Sequence, residues 1–309
     1  MRQTSLNMVY ELAKTNDKVV FIGSDLGPGV LENFKKNIPD RFFMEGIAEQ
    51  FIIGFSAGLA KEGFIPYVNT IATFITRRCF EQLSVDLSLH NLPVRLIGNG
   101  GGLVYAPLGP THQAIDDIAI LKAIPNMTIV SPCDANEMKM LMIESITWPY
   151  PMYIRLGRGG EDIVTPNDYS FKIGKSTILK KLTDIVFITT GTMAQKALMA
   201  SKILKEESNL DVGVLHMHTI HPFDKESVMS LFPNIKLIVT VEEHILVGGL
   251  GSTVIEFLSD NNNLFNVKVK RIGLENQFVQ KYGTQDELQE YFGLSKENLV
   301  NVVLNNYKK

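Results

Sequence analysis

The sequence predicts an α/β protein of two domains, each built on a largely parallel sheet flanked by helices. Three observations predict it. Short apolar, β-rich runs alternate with helical patterns along the chain, the signature of parallel strands covered on both faces. The 309 residues, 45% of them hydrophobic, suit two cores at about 150 residues each. A polar stretch, "GRGGEDIVTPNDYSFKIGKS" (157–176), breaks the alternation once, and the alternation then resumes. The boundary is placed near Lys172, giving domains 1–172 and 173–309.

In chain order, "MRQTSLNMVYELAK" (1–14) reads as an amphipathic helix. "KVVFIGSDLG" (18–27) is a strand ending in a Gly/Asp turn, and "AEQFIIGFSAGLAKEG" (48–63) is a helix closed by Gly63. "IPYVNT" (65–70) is a strand, "RRCFEQLSVDLSLHN" (77–91) a helix, and "LPVRLIGNGGG" (92–102) a strand entering a Gly-rich loop. "QAIDDIAILKAI" (113–124) is a helix, "NMTIVSPCD" (126–134) a strand, "ANEMKMLMIESIT" (135–147) a helix and "PMYIRLG" (151–157) a strand. Beyond the linker come strand "DIVFITTG" (184–191), helix "TMAQKALMASKILKEE" (192–207) and strand "LDVGVLHMH" (210–218). The last are strand "KLIVTVEEH" (236–244) and "GGLGSTVIEFLSD" (248–260), a Gly turn entering a helix.

Composition narrows the function. A net charge of −3 and no Lys/Arg cluster beyond Arg77–Arg78 argue against nucleic acid as a partner. Cys79 and Cys133 form neither a disulfide framework nor a metal-binding spacing, and two free thiols fit a reducing cytosol. No apolar run approaches the roughly 20 residues of a membrane span, and the amphipathic start lacks the apolar core of a signal peptide. The expectation is a cytoplasmic protein that binds no membrane.

Several stretches could carry chemistry. "GNGGGLVYAPLGP" follows a strand, but a G-x-G-x-x-G read from Gly98 fails at Leu103 and runs into two prolines. "GGLGS" (248–252) opens a helix whose N–H groups could hold an anion, although a tight packed turn explains it as well. His216 and His218 share a strand face as a possible metal pair, but no third ligand is evident, so core histidines explain them. His221 is expected in a turn before a helix, and His244 in a structural or interface role.

Glu49 is different. It starts a helix that carries Gly54, Ala57 and Gly58 along one face, a spacing that lets another backbone approach closely. A carboxylate there can be a plain dipole partner in water. Among Phe42, Phe43, Met44 and Ile47, burial would instead make it a proton-sharing group.

"GIAEQ", "TIATFITR", "GPTHQ", "PNMTIVSPCDANE" and "YIRLGR", in that order, with "VTVEEHILVGGLGS" downstream, resemble the C-terminal half of transketolase. The resemblance spans essentially the whole chain. It implies a pyrimidine-binding domain (1–172) followed by a transketolase C-terminal domain (173–309). It also implies thiamine diphosphate and Mg²⁺ as cofactors. In such enzymes the Glu matching Glu49 hydrogen-bonds N1′ of the aminopyrimidine and activates the cofactor for two-carbon ketol transfer from a ketose to an aldose. Phe74 matches the aromatic that stacks on the pyrimidine, although a lone Phe usually serves core packing. His112 matches a pocket position reaching cofactor and substrate, with helix capping or packing as the alternative. Arg2 and Arg155 match two arginines that grip the sugar phosphate. A surface ion pair, or a frayed terminus for Arg2, is the other reading.

The pattern also departs from the family. Gly100 stands where a phosphate-binding His is usual, Leu108 where an Asp contacts a substrate hydroxyl, and Gly29 where a Ser contacts phosphate. Ile71 replaces a second aromatic, and the "RRC" segment is one residue longer than the family pattern. A modified sugar, or another anionic tail, is therefore expected in place of an ordinary pentose phosphate. The chain has no Gly-Asp-Gly, the motif that holds diphosphate through Mg²⁺ in full-length transketolases. No metal ligands are assigned here. A separate diphosphate-binding N-terminal subunit is expected, two copies of each chain forming a heterotetramer. The competing readings are a subunit like 1-deoxyxylulose-5-phosphate synthase or the beta chain of 2-oxoacid dehydrogenases, and a non-catalytic partner. A nicotinamide-binding α/β protein is the remaining one.

Overall fold

The computed structural model describes residues 1–309 except 24–28, 30, 167, 232–233, 262–266 and 308–309. The Gly/Asp turn expected after the first strand therefore lies outside the described residues. The chain folds around two mostly parallel sheets with helices on their faces, as the alternation predicts.

The first sheet draws on α1 (Arg2–Thr15), β1 (Val19–Gly23), α2 (Glu32–Asn37), β2 (Phe42–Met44), α3 (Glu49–Lys61) and β3 (Ile65–Ile71). It continues with α4 (Ala72–Arg77), α5 (Phe80–Gln82), β4 (Arg95–Asn99), α6 (Asp117–Lys122), β5 (Thr128–Val130), α7 (Ala135–Ser145) and β6 (Met152–Arg155). The second half supplies β7 (Thr177–Lys180), β8 (Ile185–Thr189), α8 (Met193–Ser208), β9 (Gly213–His216), β10 (Thr219–His221) and α9 (Lys225–Met229). It ends with β11 (Leu237–Ile245), α10 (Leu250–Asp260), β12 (Lys268–Leu274), α11 (Gln285–Tyr291) and α12 (Lys296–Asn306).

The seven-stranded sheet runs β10-β5-β6-β4-β3-β1-β2, and the five-stranded sheet runs β12-β11-β8-β9-β7. Every pairing is parallel except the edges β10 on β5 and β7 on β9. Central strands are buried along their whole length, so their sequences are continuous apolar runs. Arg95 is the exception within β4. Its fully buried guanidinium donates to the carbonyls of Ser145 (2.8 Å), Trp148 and Tyr150 (3.1 Å), satisfying acceptors at and beyond the C-terminal end of α7.

Three expectations change. The segment 77–91 is not one helix: α4 ends at Arg77, α5 begins at Phe80, and a π-helical turn spans Leu83–Ser88. His221 lies in β10, not in a turn, with its Nδ1 2.8 Å from the Met127 carbonyl. Ala57 faces the core, whereas Gly54 and Gly58 face outward, so the small-residue stripe is narrower than the sequence suggests.

The linker is fastened to the first domain. Asp134 caps α7 through the Glu137 N–H and accepts from the N–H groups of Val164 and Thr165 at 2.8 Å. The "GGLGS" turn holds an anion of the chain's own. Glu242 accepts from the N–H of Leu250 (2.7 Å) and Gly251 (2.8 Å) at the start of α10. Burial pushes the Glu242 carboxyl up to about 7 against those two bonds. A Cβ on Gly249 would lie 2.0 Å from Glu242 Oε2, so only glycine fits.

Candidate active site

Glu49 is the first residue of α3 and is 2% exposed. Two groups meet its carboxylate: Thr70 Oγ1 donates to Oε1 (3.4 Å), and Arg78 Nη1 donates to Oε2 (2.5 Å). Phe74, on α4, presents its ring edge-on to His112 with centroids 5.2 Å apart. The Arg78 guanidinium lies over the same Phe74 ring, 4.7 Å from its centroid. Glu49, Phe74 and His112, distant in sequence, are thus linked around one opening.

The backbone behind them is pinned. Thr73 donates to the His112 carbonyl (2.9 Å), and Arg77 forms a bidentate pair with Asp116 while also donating to the Gln113 carbonyl. The Gln113 side chain is buried, and neither of its amide atoms has a partner among the described residues. Asn99 donates to Asn69 (2.7 Å), which leaves Asn69 Nδ2 and Asn99 Oδ1 unpartnered at the carboxyl ends of β3 and β4. Ligands of open parallel sheets sit at this end, and buried orphan amides are uncommon without one. These three amides escaped the sequence reading. The only signal for two of them was an Asn near the carboxyl end of each of two adjacent strands.

Around Glu49 the surface is apolar and open. Ile47 is 75% exposed and Phe51 60%; on the outer face of α3 a Cβ at Gly58 would meet open space, and one at Gly54 would lie 4.0 Å from the Asp86 carboxylate. Single exposed apolar residues are ordinary, but a contiguous patch of this kind marks a contact surface.

The two sugar-phosphate candidates border the loop after β4, which also carries His112. Arg2 acts electrostatically on Tyr105, whose hydroxyl burial pushes up. Arg155 is 5% exposed and packs against Gly101. Its guanidinium donates to Asp117 Oδ2 (2.8 Å) and to the carbonyls of Ala114 and Glu243 (both 3.0 Å). Burial opposes the charge of Arg155, yet Asp117 holds the guanidinium above its ordinary value. Arg155 in turn overcomes burial at Asp117 and holds it below the carboxylate range. As placed, Arg155 is paired to Asp117 within the first domain and reaches the second domain through the Glu243 carbonyl. At Gly100, where the resemblance to transketolase leads one to expect a histidine, the φ is +81° and an added Cβ would run into the Tyr105 ring. Tyr105 fills the room such a side chain would need.

The histidine pair has company that the sequence did not reveal. His216 Nε2 lies 3.0 Å from Glu137 Oε2, and Cys133 completes a buried trio. Glu137 is saturated, accepting also from the Cys133 N–H (2.6 Å) and the Tyr169 hydroxyl (2.7 Å). Although burial opposes ionisation, the histidines and these bonds pull its carboxyl down to about 2. The cluster reads as an interdomain hydrogen-bond network. His244 is likewise buried, accepting from the Ala119 N–H at Nε2 (3.3 Å).

The pyrimidine-binding domain of transketolase matches residues 1–160, and the transketolase C-terminal domain matches residues 174–299. This chain belongs to the transketolase family. Among transketolase relatives, it is 36% identical to an apulose-4-phosphate transketolase subunit of Phocaeicola vulgatus, over the whole of this chain and 97% of the relative. It is 31% identical to a 6-deoxy-6-sulfo-D-fructose transketolase subunit of a Clostridium species, over 97% of this chain and 92% of the relative. A solved structure described as a split gene transketolase, inactive beta4 tetramer, superposes with a TM-score of 0.89 at 33% identity, covering 99% of this chain and 97% of that one. Among the described residues, no helix is long and apolar enough to cross a membrane.

Proposed function

We propose that this chain is the small subunit of a two-chain, thiamine diphosphate-dependent transketolase. The observation that carries the reading is the gathering of Glu49, Phe74 and His112 at one opening beside orphaned amides. A buried carboxylate next to a flat aromatic face fits a planar nitrogen heterocycle with hydrogen-bonding edges. Bound there, thiamine diphosphate supplies the carbon that takes up and hands on the two-carbon unit.

This chain's residues would act on the ring and the substrate. The Glu49 carboxylate would hold and share a proton with the pyrimidine ring of the cofactor. Phe74 stacks on the ring face, contributing on the order of 1 kcal/mol beyond burial. His112 reaches the substrate side of the pocket. Ile47 and Phe51 are covered by the partner subunit, which excludes water from the carboxylate. The diphosphate and Mg²⁺ are held by that partner, since this sequence has no Gly-Asp-Gly.

The sugar end differs from that of ordinary transketolases. Gly100 with its Tyr105 filler and the exposed Leu108 remove two usual polar contacts, so a modified ketose or aldose is the proposed substrate. The sugars named for the two relatives support that class. The test is co-expression with the diphosphate-binding subunit and a steady-state screen of donors and acceptors. Two-carbon transfer by the pair, and none by this chain alone, is expected. Turnover by this chain alone with thiamine diphosphate would overturn the two-subunit reading. Pyruvate decarboxylation without sugar transfer would shift it to the synthase or dehydrogenase type.

A further inference from the structure

Arg78 touches the two groups that the proposed cofactor ring would use, the Glu49 carboxylate (2.5 Å) and the Phe74 face (4.7 Å). A guanidinium is planar, delocalised and rich in N–H donors, so it shares the footprint of an aminopyrimidine. Both can stack on an aromatic face and both can bond a carboxylate edge-on. The two cannot occupy that slot together. With Arg78 on Oε2 and over the ring, neither the Glu49 oxygen nor the Phe74 face is open to an incoming heterocycle.

We infer that Arg78 is a place-holder for the aminopyrimidine, keeping the half-site closed until cofactor and partner subunit arrive and then swinging out. The inference rests on the transketolase reading above. The side chain is suited to leaving. It is 41% exposed. Its one hydrogen bond among the described residues is the bond to Glu49. Neighbouring Arg77 contrasts with it: that guanidinium is tied to Asp116 and the Gln113 carbonyl and holds the loop. Arg78 is the C-cap residue of α4, just past the last helical position and before α5 begins at Phe80. Glu49 is buried at the start of a helix and would face an open pocket without a countercharge. Arg78 supplies that charge while the cofactor is absent.

The competition predicts a sign that a purely structural ion pair does not. If Arg78 holds the slot about nine-tenths of the time, its removal tightens apparent cofactor binding about tenfold. The experiment measures thiamine diphosphate binding, with Mg²⁺, to the co-expressed two-subunit complex by titration calorimetry, for the wild type and for R78A, R78M and R78K. R78M keeps the stem, and R78K keeps the charge without the plane. Tightening in R78A and R78M, with a smaller gain in R78K, is expected, and the free R78A subunit should melt earlier than wild type. Weaker or unchanged binding in all three variants would overturn the inference, because Arg78 would then contact the cofactor or be indifferent to it. Absence of thiamine diphosphate binding in the wild-type complex itself would refute the transketolase reading and this inference with it.

Discussion

Replacing Glu49 with Gln separates chemistry from folding. The amide keeps the shape and leaves Oε1 to accept from Thr70. What it loses is the anion facing Arg78, a residue 41% exposed that can turn to water. A half-exposed ion pair contributes about 0–1 kcal/mol, so the melting temperature of the variant should move by only a few degrees. The proton exchange proposed for Glu49 at the pyrimidine ring would, by contrast, be lost outright. Proton transfer by a positioned side chain typically accounts for about 10²–10⁴-fold in rate, or roughly 3–5 kcal/mol of barrier. The assay is steady-state two-carbon transfer by the co-expressed complex, with thermal denaturation of the free subunit alongside. A variant that keeps more than about a tenth of wild-type turnover would refute the role of Glu49 in proton exchange. Glu49→Ala should behave the same way in activity.

Three further outcomes are expected. Asp117→Asn places an amide among three donors from Tyr153 and Arg155, leaving a buried guanidinium without its anion; a loss of about 3–5 kcal/mol in urea denaturation is expected, and under 1 kcal/mol would show that the pair is dispensable. His218 is buried against Phe171 with ring centroids 4.3 Å apart, and burial lowers its pKa from 6.5 to about 4. The stability it lends is present above pH 6.5 and is lost as pH falls toward 4, so wild type should lose up to roughly 3 kcal/mol relative to His218→Gln across that window, and parallel pH profiles would contradict the assignment. Phe51→Asp puts a charge on the open face of α3; it should abolish co-purification with the diphosphate-binding subunit while leaving the free subunit's melting unchanged, and an intact complex would show that this face is not the contact.

Strands and helices with a strong period were legible from sequence because burial on both faces leaves a continuous apolar run. The elements that escaped are edges. β12 reads "KVKRIGL", with charges alternating toward solvent, and β2 and β7 are short and half-exposed, so none shows the apolar run of a central strand. β10 escaped because its partner, β5, lies in the other domain, and no local pattern encodes such a pairing. The break after Arg77 has the same origin: Arg77 and Arg78 are drawn to Asp116 and Glu49, and these tertiary bonds override a helical pattern. In the candidate site, a carboxylate in apolar company singled out Glu49. Arg78 carried no such mark, since two adjacent arginines look like a solvated pair until the fold sets them beside different acids.

The strand that the second half lends to the first, β10 against β5, means that cutting the polypeptide within its linker would not release two self-sufficient pieces. The leading fragment would be left with a bare row of amides and carbonyls along β5, an invitation to adhere to its own copies. A gene encoding only that fragment would make a sticky product, so any recombination that trades the first sheet between relatives must carry the trailing strand along with it.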